Sequence, residues 1–185
     1  MFREILWREL KTKSFTFISI ARTERWRLFL LFGVALLVRI LYISEASHHP
    51  LFNVLVLDEK FHDEWAKSIA GGNLFGDVVF FRAPLYPYFL GTIYWIFGHN
   101  DFIVRIIQLV LGSISVILLY SIGLSLFGRK AAIVGSLLYA LYPLVFYFEA
   151  QLLFESILNF QLILLFVLLV FEGENSSYWD GCGSV

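Results

Sequence analysis

The chain has 185 residues, of which 59% are hydrophobic and only 16% charged. Soluble domains contain about 45–50% apolar and about 25% charged residues, so this composition excludes an ordinary soluble domain as well as a disordered or collagen-like chain. The formal net charge of −1 provides no general attraction to nucleic acid, and the single cysteine, Cys182, excludes a disulfide scaffold. The composition favours a membrane protein.

The N-terminal part is basic and leads into an apolar stretch. Residues 1–27 contain seven of the 14 Lys and Arg residues against three Glu, and residues 28–43 are apolar except for Arg39. A secretory signal peptide also has a basic front and an apolar middle, but the long basic segment and Arg39 favour an uncleaved first membrane span. Because Lys and Arg are enriched in cytoplasmic loops, we expect residues 1–27 in the cytoplasm.

The segment 44–102 carries seven acidic residues against three basic ones, which suits the outer side of the membrane. Within it, residues 57–70 are predicted to form a short helix, because Phe61, Trp65 and Ile69 recur at helical spacing as one apolar stripe. Gly71 and Gly72 are expected to end this helix. Asp58 is interpreted either as the N-cap of the helix or as a functional acid, with Glu59 complementing the helix dipole.

Further apolar stretches at 102–127, 131–148 and 157–171 predict three more spans, the last of spanning length if it begins near Ala150. The stretch 85–97 is ambiguous, since 13 helical residues reach about 20 Å and the hydrocarbon core is about 30 Å thick. If it crossed, Arg129 and Lys130 would lie outside, so the positive-inside rule favours an interfacial helix. Small residues between Gly112 and Gly123 are expected to permit close helix packing.

The predicted fold is an all-α polytopic membrane protein with about four transmembrane helices and both termini in the cytoplasm. Its parts are a basic segment at 1–27, a transmembrane domain at 28–171 that includes the outer loop 44–102, and a polar tail at 172–185 that is expected to be disordered. Short amphipathic or interfacial helices are predicted in the outer loop.

Three arginines are expected near the outer interface: Arg82, Arg105 and Arg39. Each one either anchors its segment at the membrane surface or binds phosphate through the two-pronged guanidinium group. The segment Arg82-Ala-Pro-Leu-Tyr-Pro87 contains two prolines, which fix the backbone. It therefore predicts a stiff turn that holds Arg82 beside the acidic helix, or simply the entry turn of the interfacial helix.

Three further residues are candidates for a site. His62 lies four residues after Asp58 and three after Glu59, so a carboxylate–histidine metal site is geometrically possible, although an exposed polar histidine is the simpler interpretation. Glu149 and Glu155 are expected at the outer ends of the third and fourth spans. Acids at a membrane edge are functional candidates by default, whereas an acid in a solvated loop needs no function.

The order of these features resembles the dolichyl-phosphate-mannose protein mannosyltransferase-like family, glycosyltransferase family 39 of the GT-C superfamily. The resemblance extends over about residues 26–171. It rests on Arg39-Ile-Leu-Tyr42, Leu57-Asp-Glu59, His62, Trp65-Ala66, Arg82-Ala-Pro-Leu-Tyr-Pro87, Phe97-Gly98, Arg105, Tyr120, Leu126-Phe-Gly-Arg129 and Tyr142-Pro143.

The resemblance implies that a sugar is transferred, with inversion, from a polyprenyl-phosphate carrier to a lipid, glycan or protein acceptor. Transfer would occur on the extracytoplasmic side, in a bacterium at the inner membrane. The resemblance implies Asp58 as the catalytic base and Glu59 as its partner, and it aligns a family acid at a helix end with Glu155. No nucleic acid partner is implied.

These roles agree with the chemistry of inverting transfer. One carboxylate takes the proton of the acceptor, and the carrier phosphate leaves as an anion that a cation must stabilise. The substrate-binding candidates are Arg82, Arg105 and Arg39, in that order, together with His62 and Glu155. No cofactor is required, although a divalent metal could replace an arginine.

Two alternatives remain open at this point. Family members usually have more spans, so the chain is expected to be an N-terminal portion. The first alternative is a non-catalytic membrane subunit or remnant that packs with a partner. The second is a small transporter with Arg39 and Glu155 along its path. A transporter would place facing charges near the middle of the bilayer, whereas the sequence places these residues at the outer edge.

Overall fold

The computed structural model describes residues 22–50, 52, 54–74 and 83–176, with side chains up to residue 170. Arg82 and residues 177–185 of the predicted tail lie outside the described residues. Within the described ranges the chain is helical and has no strand, which confirms the predicted all-α class. Seven helices lie entirely within these ranges: α1 (Arg25–Ala46), α2 (Asp58–Ala70), α3 (Leu85–Phe97), α4 (Asp101–Phe127), α5 (Arg129–Leu141), α6 (Pro143–Glu149) and α7 (Glu155–Ser176).

Two of these helices, α1 and α4, are long and apolar enough to cross a membrane. Helices α5 and α6 pass the same test together, but they are bent by 54° where they meet. Pro143 is the first residue of α6, a position where the missing proline N–H costs nothing, and its ring prevents α5 from continuing. The apolar part of α7, Glu155–Val170, is shorter than a full span. Two or three spans therefore meet the length criterion among the described residues, compared with the four predicted.

Helices α1 and α4 run antiparallel, and this arrangement places the segment between them. Leu31 near the start of α1 packs with Val116 of α4, whereas Ile43 near the end of α1 packs with Leu109. The end of α1 and the start of α4 therefore meet at one end of the bundle, here named the loop end, and α2 and α3 pack together there. The interfacial position of α3, which the positive-inside rule favours, stays a prediction.

Glu24 organises the opposite end of the bundle. Its carboxylate is 3% exposed and accepts hydrogen bonds from Arg27, from Arg129 at 2.7 Å and from the Tyr120 hydroxyl at 3.1 Å. Burial by itself raises the pKa of Glu24, but these hydrogen bonds outweigh burial and lower the pKa. The contact with Arg129 places the start of α5 at the same end as the start of α1.

A buried ion pair connects α1 to α6 across the surface of α4. Arg39 donates from Nε to Glu149 Oε2 at 2.6 Å and from Nη2 to Glu149 Oε1 at 2.9 Å, and the two side chains are 0% and 2% exposed. Gly112 makes room for this pair, since a Cβ atom there would lie 2.1 Å from Glu149 Oε1. At Gly123 a Cβ would lie 2.9 Å from the Ala132 Cα, so close packing at small residues of α4 is confirmed at both glycines.

Gly112→Ala is expected to lower the melting temperature of the purified protein in detergent. The added methyl group would overlap the Glu149 carboxylate, and overpacking of this kind costs about 1–3 kcal/mol. Gly135→Ala on α5 is the matched control, because a Cβ there meets no atom within 4 Å and alanine is favoured over glycine inside a helix by about 0.5–1 kcal/mol. Equal melting temperatures for the two variants would contradict the tight contact.

Candidate functional site

The buried face of α2 is largely polar, and it does not coincide with the apolar stripe predicted on this helix. Within the stripe, Phe61 is 39% exposed, Trp65 is only partly buried and Ile69 is buried. The two aromatic rings pack edge to face, with centroids 5.8 Å apart, at the margin of the helix. The α2 residues that are buried are Glu59, His62, Asp63, Ala66 and Ile69. Glu59 and Asp63 are buried on this face because hydrogen-bond partners reach them from other parts of the chain.

Asp58 is the first residue of α2, and its side chain is exposed. The N-cap position belongs to Leu57, which has no capping side chain, so the interpretation of Asp58 as the N-cap is wrong. Leu57 adopts φ of +47°, and among the described residues it is the one non-glycine residue with positive φ. Such a conformation costs about 1–3 kcal/mol and is concentrated at functional sites. The chain therefore bears backbone strain immediately before Asp58.

Glu59 points in a different direction from its neighbour, because successive residues of an α-helix are about 100° apart. Its side chain is 7% exposed, and Oε1 accepts a hydrogen bond from the Leu152 backbone N–H at 3.1 Å. Leu152 belongs to the α6–α7 corner, defined here as residues 150–154. The two adjacent acids are thus separated into an accessible one, Asp58, and one held inside the protein, Glu59.

Gln108 of α4 holds the same corner, although the sequence did not mark it as a site residue. It is 1% exposed, and Nε2 donates to the carbonyl oxygens of Glu149 at 3.0 Å and Gln151 at 2.8 Å. Its Oε1 accepts from the Tyr86 hydroxyl at 2.9 Å. The sequence did contain a signal for Gln108, because it is a glutamine inside an apolar helical stretch. A buried amide must satisfy its hydrogen bonds, so such a residue indicates a polar contact with another part of the chain.

Tyr86 lies at the centre of the loop end. It is 2% exposed, and its ring meets His62 edge to face with centroids 5.0 Å apart. Burial raises the pKa of Tyr86 well above its ordinary value, and the negative charges of Glu59 and Glu155 raise it further, against the positive charge of Arg105. The hydroxyl therefore stays protonated and remains a donor to Gln108.

Arg105 is buried at 2% exposure, in the second turn of α4. Its Nη1 donates to the Phe52 carbonyl oxygen at 2.8 Å, and the guanidinium carbon lies 4.0 Å from the centre of the Phe52 ring. Its Nε atom is buried without a hydrogen-bond partner. Arg105 thus provides the loop end with a buried positive charge that has one unsatisfied donor.

The remaining predicted residues have distinct surroundings. Arg39 is occupied on two nitrogens by Glu149, a geometry that favours holding helices over contacting a ligand. Glu155, the first residue of α7, has a buried Oε2 without a hydrogen-bond partner. Together with Glu149, Ser156 and Asn159 it lines a cavity of about 200 Å³ whose other wall is the apolar face of α6.

A second polar cluster at the loop end joins α2 to the start of α4. Asp63 Oδ1 accepts from the Tyr94 hydroxyl at 2.8 Å and lies 2.8 Å from His99 Nε2, while Lys67 Nζ lies 2.6 Å from Oδ2. Asp101 Oδ1 lies 2.9 Å from the same tyrosine hydroxyl and 3.3 Å from His99 Nε2. Burial would raise the pKa of Asp63, but its bonds to Lys67, His99 and Tyr94 outweigh burial and lower it.

This cluster also has the spacing of a metal site. One ligand atom each from Asp63, His99 and Asp101 lies within 4.8 Å of the others, and carboxylate oxygen with imidazole nitrogen is a donor set that suits zinc or manganese. Over the described ranges, Asp58, Glu59 and His62 do not form such a group. The possible carboxylate–histidine metal site around His62 is therefore not formed by these residues. His62 is 3% exposed, so its simpler interpretation as an exposed polar histidine is wrong.

Comparison with known proteins identifies a family over more than half of the chain. The family model for Dolichyl-phosphate-mannose-protein mannosyltransferase matches residues 82–185. The match begins at Arg82, contains the α6–α7 corner, and leaves Asp58 and Glu59 outside it. A search of curated proteins and a search of solved structures found no match to the chain.

The Asp63 cluster leads to a test of stability against pH. Asp63→Asn is expected to destabilise the protein at neutral pH by about 1.5–3 kcal/mol, the contribution of hydrogen bonds to a charged group. Because the native pKa of Asp63 is lowered, its stabilising effect is complete above the unfolded value of about 3.9 and is lost as the pH falls through the native value. The difference in melting temperature between wild type and variant should therefore shrink in acid.

Glu64→Gln on the same helix is the matched control for this test. Glu64 is 64% exposed, and its ion pair with Lys60 spans 3.8 Å. Exposed pairs of this kind contribute about 0–1 kcal/mol, so the control should melt close to wild type. A deficit in Asp63→Asn no larger than in Glu64→Gln would contradict the role assigned to the cluster.

Proposed function

The chain belongs to the dolichyl-phosphate-mannose-protein mannosyltransferase family, which indicates a membrane glycosyltransferase, and from this premise we propose the reaction that its loop end serves. A sugar is transferred, with inversion, from a polyprenyl-phosphate carrier to an acceptor on the extracytoplasmic side. The observation that carries the proposal is the pair of adjacent acids on α2, with Asp58 accessible and Glu59 bonded to the α6–α7 corner.

In this proposal Asp58 is the catalytic base. It takes the proton of the acceptor hydroxyl while that oxygen attacks the anomeric carbon of the donor. The bond between the anomeric carbon and the phosphate oxygen breaks at the opposite face, so one displacement inverts the configuration. Exposure of Asp58 supports this role, because the base must reach the acceptor.

Glu59 serves as the partner of Asp58 and does not meet the acceptor. Its hydrogen bond from the Leu152 N–H keeps the carboxylate directed into the protein. This contact anchors the first turn of α2, and thereby the Asp58 backbone, to the α6–α7 corner.

The leaving phosphate needs positive charge. Arg82 is the first candidate for direct contact and is the residue at which the family match begins. Arg105 contributes a buried positive charge behind the acids, supported by its unpartnered Nε. We assign Arg39 no donor contact, because Glu149 already binds its guanidinium. His62 and Glu155 are proposed to shape the site next to Tyr86.

The orientation in the membrane is part of the same proposal. Arg27 and Arg129 gather around Glu24 at the end opposite the acids. Since positively charged loops stay in the cytoplasm, the loop end faces outward, in a bacterium toward the outside of the inner membrane. The carrier phosphate and the acceptor are then both available to Asp58 at the outer membrane surface.

Asp58→Asn is expected to lower the transfer rate by about 10²–10⁴-fold, the usual effect of removing a general base, and Glu59→Gln by a smaller factor. The measurement is transfer of radiolabelled sugar from a polyprenyl-phosphate sugar to lipid in membranes that contain the protein, normalised to its abundance. Glu64→Gln serves as the exposed control on the same helix. Wild-type rates for Asp58→Asn and Glu59→Gln would refute the catalytic assignment and favour a non-catalytic subunit.

Arg82→Ala is expected to raise the KM for the carrier-linked sugar more than Arg82→Lys does. Lysine keeps the positive charge but cannot form the two parallel hydrogen bonds of a guanidinium group with phosphate. The same transfer assay, run over a range of donor concentrations, provides the comparison. Equal effects of the two substitutions would speak against a two-pronged contact with phosphate.

A further inference from the structure

A single peptide group links Gln108 to Glu59. The carbonyl oxygen of Gln151 and the N–H of Leu152 belong to the same peptide bond. Gln108 Nε2 donates to that oxygen at 2.8 Å, and that N–H donates to Glu59 Oε1 at 3.1 Å. A trans peptide is planar, with its C=O and N–H pointing in opposite directions. The two side chains therefore hold this peptide from its two sides.

The hydrogen bonds form one chain with a single direction. The Tyr86 hydroxyl donates to Gln108 Oε1 at 2.9 Å, Gln108 donates to the Gln151 carbonyl, and the Leu152 N–H donates to Glu59. Each bond polarises the next in such a chain, and burial strengthens the first and the last of the three. Tyr86, Gln108 and Leu152 are at most 2% exposed, and the bond between Gln108 and the Gln151 carbonyl is partly buried.

Only a side chain with both donors and an acceptor can occupy this place. Gln108 uses two N–H groups, on the carbonyls of Glu149 and Gln151, and accepts from Tyr86. A glutamate lacks the donors and would face two carbonyl oxygens, and a methionine of similar size offers neither donors nor a strong acceptor.

We propose that Gln108 is a positioning residue for the Asp58–Glu59 pair, acting through the 151–152 peptide. The inference rests on the proposed function, because it assigns Gln108 to the machinery that orients the base. Gln108 itself lies in α4, touches no substrate, and sets the direction in which the Leu152 N–H meets Glu59.

The first test measures amide hydrogen exchange in the segment 149–154 by mass spectrometry on the full chain in detergent. Gln108→Met is expected to speed exchange of the Leu152 amide by about tenfold, the effect of losing about one hydrogen bond. Gln161→Met is the matched control, because Gln161 is an exposed glutamine on the apolar helix α7. Exchange as slow in Gln108→Met as in wild type would overturn the proposal.

The second test approaches the same peptide from Glu59, and it applies even if Gln108 variants do not fold. Glu59→Gln keeps an acceptor oxygen, so the Leu152 amide should exchange as in wild type although transfer falls. Glu59→Leu removes the acceptor, so exchange should accelerate. Equal exchange in Glu59→Gln and Glu59→Leu would show that the peptide is not held by Glu59, and the proposal would fail.

The third test separates positioning from mere stability. In Gln108→Met, kcat per folded molecule should fall while the donor KM stays near wild type, since the base is misplaced but the phosphate contact is intact. Faster exchange combined with an unchanged kcat would overturn the positioning role. If the wild-type chain transfers no sugar, the proposed function fails, and the exchange comparisons alone decide whether Gln108 orients Glu59.

Discussion

Arg39 and Glu149 neutralise each other at a place where neither charge would be tolerated alone. Two hydrogen bonds of 2.6 and 2.9 Å join their side chains, and burying one of them without the other would leave an uncompensated charge in apolar surroundings. The pair fixes α1 against α6, and it requires the space that Gly112 leaves on α4. Three helices from distant parts of the chain are thereby held at one level of the bundle.

The polar network of the loop end is connected to this ion pair through Glu149. Glu149 binds Arg39 through its side chain and Gln108 through its carbonyl oxygen, so the end of α6 is held from two sides. The α6–α7 corner that follows presents the Leu152 N–H to Glu59. An ion pair between two helices is thus connected, through one corner, to the acid beside the proposed base.

Several elements were predictable from local sequence. The limits of α3, Leu85–Phe97, and nearly those of α4 were predicted correctly, because Pro84, Gly98 and Gly128 flank apolar stretches and mark their ends. The buried face of α2 was not predictable in this way, because Phe61 and Trp65 look like core residues when the partners of Glu59 and Asp63 are unknown.

The amino-acid sequence by itself determined a helical membrane protein, the order of its segments and the resemblance to a glycosyltransferase family, because hydropathy, breaker residues and short motifs are local properties. Tertiary structure decided which polar residues meet. Arg39 and Glu149 are 110 positions apart, and Glu59 and Leu152 are 93 apart, and no local pattern specifies such pairs. A buried carboxylate is tolerated only where a distant donor reaches it, so the roles of Glu59, Arg39 and Gln108 depend on how the helices pack.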